Sequence, residues 1–337
     1  MNKPGLKIVI PMAGFGTRLR PHTWSRPKQL ISMAGKPVLA HVMDTFSTLP
    51  DPDNVDYIFI VGYLGEQIRA YMNTYYPELR ITYVIQEDRR GQSHAISLTR
   101  QHLEGPMLMM FPDTLIEADL SFLAHETAAG IAWVKPVPDP RRFGVAEVNG
   151  EGQVTRLVEK PQDIDNNLVV VGFYYFQNSA DLLSAIDEQI ERDVQLKGEY
   201  FLTDAINIMI EHGLQMRTQP VDVWLDAGTP QDVLDTNHYL LDHGNANSAQ
   251  ASGRDGVTVI PPVFIHPGAQ VHNSVIGPYA SINDSCTVHS SIIRNSILED
   301  GAEVMDTILD GSLIGCEARI IGRPGALIAG DNTVMSI

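Results

Sequence analysis

The C-terminal part of this chain repeats an aliphatic residue at every fifth or sixth position. A helix would need a spacing of about 3.6 residues and a half-buried strand a spacing of about two, so neither produces this series. The short period also disfavours a β-rich sandwich. It favours a parallel β-helix, in which each short face contributes one inward aliphatic side chain before the chain turns. The repeat comprises Ile265, Val271, Ile276, Ile282, Val288, Ile293, Leu298, Val304, Leu309, Ile314 and Ile320.

The aliphatic positions are interleaved with Gly, Ser, Asn and Asp, which suit tight turns. The pattern resembles that of left-handed hexapeptide-repeat β-helices. It would supply about three or four triangular coils, which is enough for a stable stack with caps.

Residues 6 to about 241 show a different pattern, in which short apolar runs alternate with longer amphipathic ones. This alternation is typical of an α/β sheet with crossover helices. The predicted strands are 8–10, 57–61, 81–85, 107–111, 131–134, 169–176 and 221–225. The predicted helices are 37–46, 66–75, 92–102 and 181–190.

A small, polar stretch at residues 244–253 separates the two patterns. Its composition is typical of a linker. We therefore predict a catalytic domain at 1–243, a linker at 244–256 and a β-helix domain at 257–337.

Composition limits the partners that the protein can have. The 337 residues carry a net charge of −17, so no overall positive field attracts nucleic acid or an anionic membrane. The apolar runs are too short to span a bilayer, and the N-terminus shows no signal-peptide core, so we expect a soluble, cytoplasmic protein. The two cysteines can form neither a disulfide framework nor a metal cluster.

A glycine-rich turn follows the first predicted strand. Ala13, Gly14, Gly16 and Thr17 come directly after the apolar run, and glycines there let backbone N–H groups face an anion. Arg18 and Lys28 add positive charge. Neither a Walker loop nor a dinucleotide fingerprint fits, since the chain lacks the Gly-Lys-Ser/Thr of the first and the third glycine of the second. We expect a site for phosphate groups.

The longer pattern around this turn is more specific. With Pro21, Thr23, Lys28, Leu30 and Gly35-Lys36-Pro37, the segment resembles the signature of sugar-1-phosphate nucleotidyltransferases, which make nucleotide sugars and release pyrophosphate. Residues 14–37 are called the signature segment below. The resemblance implies a Rossmann-like mixed-sheet domain. It also implies that Arg18 holds the leaving pyrophosphate and that Lys28 stabilises charge at the α-phosphate.

Two aspartates are candidate ligands for Mg²⁺. Asp113 and Asp226 each follow a predicted strand, and ligands of open α/β sheets bind beyond the carboxyl ends of strands. Mg²⁺ prefers one or two carboxylates plus phosphate oxygens and water. Phe-Pro-Asp113 and Trp-Leu-Asp226-Ala-Gly-Thr-Pro also resemble the two metal-binding segments of the family.

Sugar binding is predicted from the same resemblance. Glu159-Lys160-Pro161 resembles the element in which the carboxylate holds sugar hydroxyls and the lysine holds the sugar phosphate. Gly144 and Gly172 correspond to backbone contacts with the sugar, and Tyr174 lies on the same strand as Gly172.

Base recognition is assigned to Gln86 and Gly91, whose spacing matches the family segment that reads uracil or thymine. A glutamine amide both donates and accepts, which suits the edge of a pyrimidine. The segment departs from the thymidylyltransferase pattern at Arg89, and its His94-Ala95 is similar to uridylyltransferases. The choice between dTTP and UTP therefore stays open.

The sequence thus predicts Mg²⁺-dependent nucleotidyl transfer from dTTP or UTP to a hexose 1-phosphate, with glucose 1-phosphate as the first choice. The alternatives are a mannose-1-phosphate guanylyltransferase and a non-catalytic regulator that binds nucleotide sugars. We expect a homo-oligomer assembled through the β-helix. Every predicted catalytic group precedes the linker, so a chain ending near His243 is expected to retain transfer.

Overall fold

The computed structural model describes residues 5–322 and 327–336. It forms two compact units. The sheet unit comprises residues 1–14 and 42–224, and the coil unit comprises residues 15–41 and 225–337. Met1 to Pro4 and Ile337, which the predicted domains include, lie outside the described residues. No helix in the described ranges is both long enough and apolar enough to cross a membrane.

The helices and strands are numbered in chain order. The helices are α1 Val38–Asp44, α2 Gly65–Tyr75, α3 Gln92–Ser97, α4 Ser179–Glu191, α5 Leu202–Glu211, α6 Pro230–Leu240 and α7 Ser248–Ala251. The first strands are β1 Leu6–Pro11, β2 Ser32–Met33, β3 Lys36–Pro37, β4 Val55–Val61, β5 Ile81–Ile85, β6 Met107–Met110, β7 Thr114–Ile116, β8 Gly130–Pro136, β9 Gly144–Val148, β10 Val154–Glu159, β11 Leu168–Phe176, β12 Met216–Pro220 and β13 Trp224–Asp226. The remaining strands are β14 Val257–Val259, β15 Val263–Ile265, β16 Gln270–His272, β17 Ser274–Ile276, β18 Ala280–Ile282, β19 Thr287–His289, β20 Ile292–Arg294, β21 Ile297–Leu298, β22 Glu303–Met305, β23 Ile308–Asp310, β24 Leu313–Ile314, β25 Arg319–Ile321, β26 Ile328–Ala329 and β27 Val334–Ser336.

The sheet unit is built on a nine-stranded mixed sheet. Seven strands follow the order β10-β9-β11-β6-β1-β4-β5, and β8 joins β11 to β12. The centre is parallel, because β1 pairs in parallel with both β4 and β6. Strand β11 runs antiparallel to β6, β8 and β9. The centres of these strands, such as 8–10, 57–61 and 107–110, are buried and apolar, as a sheet covered on both faces requires. This architecture confirms the predicted Rossmann-like mixed sheet.

The coil unit contains a parallel β-helix. Its short strands stack into three sheets, β14-β17-β20-β23, β15-β18-β21-β24-β26 and β16-β19-β22-β25-β27. All the aliphatic residues of the predicted repeat are buried, none with more than 4% exposure. They stack from coil to coil, with Ile265 beside Ile282 and Val288 beside Val304. The predicted β-helix is therefore confirmed.

Two local expectations need correction. The predicted strand at 221–225 is wrong, since β12 ends at Pro220 and β13 begins at Trp224, with a bend between them. The segment predicted as a linker is folded onto the β-helix. There α7 buries Ala251, and the Asn247 amide exchanges two hydrogen bonds of 2.8 Å with the backbone of Ile265.

The compact units also divide the chain differently from the predicted domains. Residues 15–41, which contain most of the signature segment, belong to the same unit as the β-helix. The boundaries at 243 and 257 stay a prediction.

Candidate active site

The signature segment is folded as successive 3₁₀ turns at Thr17–Leu19, His22–Trp24 and Lys28–Leu30. Gly16 has a φ of 61°, and a Cβ there would lie 3.0 Å from Cγ2 of Thr23 and 3.2 Å from Cβ of Lys28. The Thr23 hydroxyl donates a 2.8 Å hydrogen bond to the Gly16 carbonyl. The glycine turn and the stem of Lys28 are thus packed against each other, and the predicted binding of phosphate there stays a prediction.

Arg18 and Asp226 meet at Gly228 within the coil unit. A Cβ on Gly228 would lie 2.8 Å from Nη2 of Arg18 and 3.0 Å from Oδ1 of Asp226. A side chain at this position would displace the end of the Arg18 side chain and press against Asp226. The Asp226 carbonyl accepts a 2.8 Å hydrogen bond from Thr236 on α6, which fixes the backbone of the aspartate.

The sequence explains why α6 begins here. The Thr229 hydroxyl accepts a 3.2 Å hydrogen bond from the Asp232 amide, and Pro230 occupies the first helical position. Threonine at the N-cap followed by proline is a strong start signal for a helix. The Asp-Ala-Gly-Thr-Pro motif therefore combines a carboxylate, a space for a guanidinium and a helix start.

Gln29, next to Lys28 in the chain, was not among the site residues predicted from the sequence. Its side chain is fully buried. Neither its amide nitrogen nor its amide oxygen makes a hydrogen bond within the described part of the chain. Buried polar groups are normally paired, so an unpaired amide beside Lys28 suits a site that takes a polar ligand. Gln29 lies between Lys28 and Leu30, and this local sequence gives no signal of a buried amide.

Asp113 lies in the sheet unit, in the turn after β6. The Phe111 amide donates a 2.9 Å hydrogen bond to the Gly172 carbonyl, and the Thr114 hydroxyl donates one of 2.9 Å to Val171. Gly172 has a φ of 78°, and a Cβ there would lie 2.4 Å from the Phe111 ring. The glycine therefore allows the Phe-Pro-Asp turn to pack against β11. Its predicted contact with a sugar stays a prediction.

The Glu159-Lys160 pair lies at the end of β10. Lys160 Nζ is 3.5 Å from Glu159 Oε1 and 4.8 Å from the centre of the Phe201 ring. Burial raises the pKa of Glu159, and the charge of Lys160 partly opposes that shift. A Cβ on Gly144 would lie 3.3 Å from Glu159 Oε2, so this glycine keeps one face of the carboxylate open.

Tyr174 lies deeper than its predicted role suggests. Its ring is 2% exposed and stacks on Phe176 in the core of the sheet unit. Burial raises the pKa of its hydroxyl, and the charge of Glu159 adds to that shift. Its assignment to sugar binding stays a prediction.

Gln86 and Gly91 form a connected pair. Gln86 is 5% exposed, and its Nε2 lies 3.3 Å from the Gly91 carbonyl and 3.3 Å from Nδ1 of His94. Burial, followed by the charge of Arg90, lowers the pKa of His94, so its ring is neutral at neutral pH and Nδ1 can accept. With both N–H groups of the Gln86 side-chain amide used in these two contacts, its side-chain carbonyl oxygen is the atom that could accept from a ligand.

Gly91 also has a structural reason to be glycine. Its φ is 101°, and a Cβ would lie 2.5 Å from the backbone of Tyr200. The contact between His94 and Gln86 was not expected from the sequence, where His94 was considered only for its similarity to uridylyltransferases.

The remaining loop residues occupy different surroundings. Ala13 is buried in the sheet unit, where a Cβ on Gly62 would lie 3.1 Å from its own Cβ. Gly14 has open space around its Cα, and Thr17 is exposed. Their assignment to nucleotide binding stays a prediction.

Comparison with known proteins decides the family. A family model described as nucleotidyl transferase matches residues 7–243, well over half of the chain. The chain belongs to the nucleotidyl transferase family. This confirms the resemblance found in the signature segment and the prediction of an enzyme that transfers nucleotidyl groups.

Relatives of this nucleotidyl transferase include two named sugar enzymes. Glucose-1-phosphate thymidylyltransferase of Streptomyces griseus is 28% identical, with 97% of this chain and 98% of its own length aligned. UTP–glucose-1-phosphate uridylyltransferase AglF of Haloferax volcanii is 31% identical, over 67% of this chain and 93% of its own. A solved UDP-glucose pyrophosphorylase complexed with UDP-glucose shares the fold, with a TM-score of 0.61, 21% identity, and coverage of 72% of this chain and 100% of that one.

Proposed function

We propose that the protein transfers a nucleotidyl group from dTTP or UTP to a hexose 1-phosphate, with glucose 1-phosphate as the preferred acceptor. A phosphate oxygen of the sugar attacks the α-phosphorus, the bond from that phosphorus to the β-phosphate oxygen breaks, and pyrophosphate leaves. The observation that carries the proposal is the packing of Arg18 and Asp226 against Gly228, which sets a cation and a carboxylate side by side. Triphosphate chemistry needs both kinds of charge.

The donor set fits Mg²⁺. Asp113 and Asp226 are half-buried carboxylates that end or follow strands, and carboxylate oxygens are ligands that Mg²⁺ prefers. We assign Mg²⁺ to these two residues. When bound, the ion would neutralise phosphate charge.

The remaining groups act directly on the substrates. Arg18 holds pyrophosphate oxygens, and Lys28 balances the charge that grows on the α-phosphate. Lys160 orients the sugar phosphate and Glu159 the sugar hydroxyls. The sugar phosphate is already an anion, so no general base is required.

Pyrophosphate release across a matrix of nucleoside triphosphates and sugar 1-phosphates tests this proposal. We expect release only when a pyrimidine nucleotide and a hexose 1-phosphate are both present. Release with GTP and mannose 1-phosphate alone would instead favour a guanylyltransferase. No release with any pair would favour a regulator that binds nucleotide sugars. The cytoplasmic location stays a prediction from the sequence.

Base recognition gives a first prediction. Replacing Gln86 with Ala should raise KM for the preferred nucleotide by roughly 10- to 100-fold, because a buried base edge left unpaired costs about 1–3 kcal/mol. His94→Leu should blur discrimination between pyrimidines and purines, since the amide of Gln86 loses one of its two acceptors. Steady-state kinetics with each nucleotide measures both effects. His102→Leu is the matched control, because that histidine lies in a 3₁₀ turn after the helix. An unchanged nucleotide profile in both variants would place base reading elsewhere.

Assembly through the β-helix gives a second prediction. Ile292 and Ile308 are neighbours in β20 and β23 and are 38% and 49% exposed, which is unusual for stacked isoleucines. We propose that this ladder contacts another subunit. Replacing both with Lys should reduce the mass measured by light scattering, because apolar faces of this kind cover each other in oligomers. An unchanged mass, or a monomeric parent protein, would remove this interface.

A further inference from the structure

A buried carboxylate of the β-helix contacts the signature segment. Glu299 is 2% exposed and follows β21. Its Oε2 accepts a 2.9 Å hydrogen bond from Nη1 of Arg26, and its Oε1 accepts one of 2.7 Å from the backbone amide of Ser32. Both carboxylate oxygens are therefore used by residues more than 260 positions away in the chain.

Arg26 carries this contact to the turn that holds Lys28. The same Nη1 atom lies 3.4 Å from the carbonyl of Leu30, on the far side of Lys28 in the chain. Nη2 of Arg26 pairs with Asp300 at 3.3 Å. The Arg26 guanidinium thus pairs with two carboxylates and one carbonyl. Because its donors form a rigid fork, these contacts fix the orientation of the side chain as well as pairing its charge. Lys28 thus lies within a turn that Glu299 holds through Arg26.

Further contacts hold the segment on the same β-helix. The Ala34 amide donates a 2.8 Å hydrogen bond to Oδ1 of Asn237, which also accepts one of 2.6 Å from Ser281. Asn237 is fully buried on α6. A Cβ on Gly35 would lie 2.2 Å from the ring of Phe264, so the hairpin turn rests directly on that ring.

The carboxylates near Arg26 do not form a vacant cation site. Glu299, Asp300 and Cys316 offer ligand atoms within 4.8 Å of one another, a grouping that the sequence analysis did not predict. The Arg26 guanidinium already pairs with both carboxylates. The group is therefore a docking point for an arginine.

We propose that Glu299 is a positioning residue for nucleotidyl transfer, which holds Arg26 and the Ser32 amide so that Lys28 faces the triphosphate. The β-helix then organises the phosphate loop of its own chain in addition to any assembly role. This rests on the proposed function for the identity of the reaction. It also changes the expectation for a chain ending near His243, which would lose Glu299 and, we now expect, most of its activity.

Glu299→Gln tests the proposal in the full-length protein. The change removes the charge that faces Arg26 and keeps the shape of the side chain. We expect kcat/KM for the nucleotide to fall roughly 10- to 100-fold, because small misplacements of catalytic groups cost about this much. KM for the sugar 1-phosphate should stay unchanged, since Glu159 and Lys160 are assigned to that substrate. Arg26→Lys should give the same pattern, and provides the test if Glu299→Gln does not fold.

Glu303→Gln is the matched control. Glu303 makes a 3.0 Å ion pair with Arg319 on the same β-helix, and both side chains are close to half exposed. The same substitution there should leave all kinetic constants unchanged.

Two further measurements separate positioning from stability. Deuterium exchange of peptides covering residues 22–34 should accelerate in Glu299→Ala and stay unchanged in Glu303→Ala, whether or not the protein transfers nucleotidyl groups.

The second measurement is the pH dependence of activity. In the wild-type protein, burial raises the pKa of Glu299 to about 7. Burial also raises the pKa of Cys286 to about 12, and it raises the pKa of Cys316. Among the described residues, the charged groups that act on Glu299 are Arg26 and Asp300, and Cys316 is the titratable group grouped with it.

Below its pKa, Glu299 is protonated and resembles glutamine. The ratio of wild-type to Glu299→Gln activity should therefore grow as pH rises through about 7. Wild-type kinetics and exchange in the Glu299 variants would overturn the proposal, as would an equal loss in Glu303→Gln or an equal rise in both KM values. A wild-type protein without transfer activity would instead defeat the proposed function, and the exchange experiment would still test whether Glu299 holds the segment.

Discussion

Replacing Asp226 with Asn is expected to leave a folded protein whose kcat is lower by roughly 10²-fold or more, because one charge that balances Mg²⁺ is lost. Asp113→Asn should have a similar effect. In both variants the Mg²⁺ concentration for half-maximal activity should rise, which a titration of initial rates measures directly.

Asp222→Asn is the matched control for this experiment. Asp222 lies exposed in the bend between β12 and β13, four residues before Asp226, so the same substitution there should leave kcat and the Mg²⁺ dependence unchanged. Near-native turnover of both Asp113→Asn and Asp226→Asn at saturating Mg²⁺ would remove these residues from the metal site.

Gly228→Ala is expected to lower kcat/KM for the nucleotide by roughly 10²-fold, with little change in circular dichroism. The added methyl group would meet Nη2 of Arg18 at 2.8 Å and Oδ1 of Asp226 at 3.0 Å, so both groups must move. Displacement of a catalytic group by about 1 Å costs activity of this order.

The same change at Gly150 is the control for Gly228→Ala, because a Cβ there would have no atom within 4 Å. Gly150→Ala should behave like the wild type. If Gly228→Ala also retains its activity, Arg18 and Asp226 do not act as a closely packed pair.

The repeat of the β-helix was predictable because its cause is local. Each short face of a coil points one aliphatic side chain inwards, so the burial of residues such as Val288 and Leu309 can be predicted from their spacing alone. The sheet strands were predictable for a similar reason, since a strand covered on both faces is apolar throughout.

Contacts between distant parts of the chain were not predictable. Glu299 appears in the sequence as one acidic residue in a polar turn, and nothing near it indicates that Arg26 is its partner. The segment at 244–253 was predicted as a linker from its composition, but Asn247 pairs with the edge of β15 and Ala251 fills the end of the core. Composition describes solubility and turn propensity, whereas docking depends on the surface that the rest of the chain provides.

The candidate site shows the same division. Some site residues lie in motifs whose chemistry can be predicted from residue type, namely Arg18, Lys28, Asp226 and Gly228. In the structure, Arg18 and Asp226 pack around Gly228. The contact between His94 and Gln86 was not predicted, although His94-Ala95 matched a family pattern, and nothing in the sequence pointed to Gln29. These two features appear only in the hydrogen bond of Gln86 and in the buried amide beside Lys28, which has no hydrogen bond within the described residues.

The most direct test of the central claim follows oxygen atoms through the reaction. Glucose 1-phosphate labelled with ¹⁸O at its three terminal phosphate oxygens is incubated with the wild-type protein, Mg²⁺ and either dTTP or UTP, and the products are analysed by mass spectrometry. Attack of a sugar-phosphate oxygen on the α-phosphorus, with loss of the β- and γ-phosphates, predicts that all of the label appears in the nucleotide sugar and none in pyrophosphate. Label in pyrophosphate, or the absence of any nucleotide sugar with both nucleotides, would contradict the account.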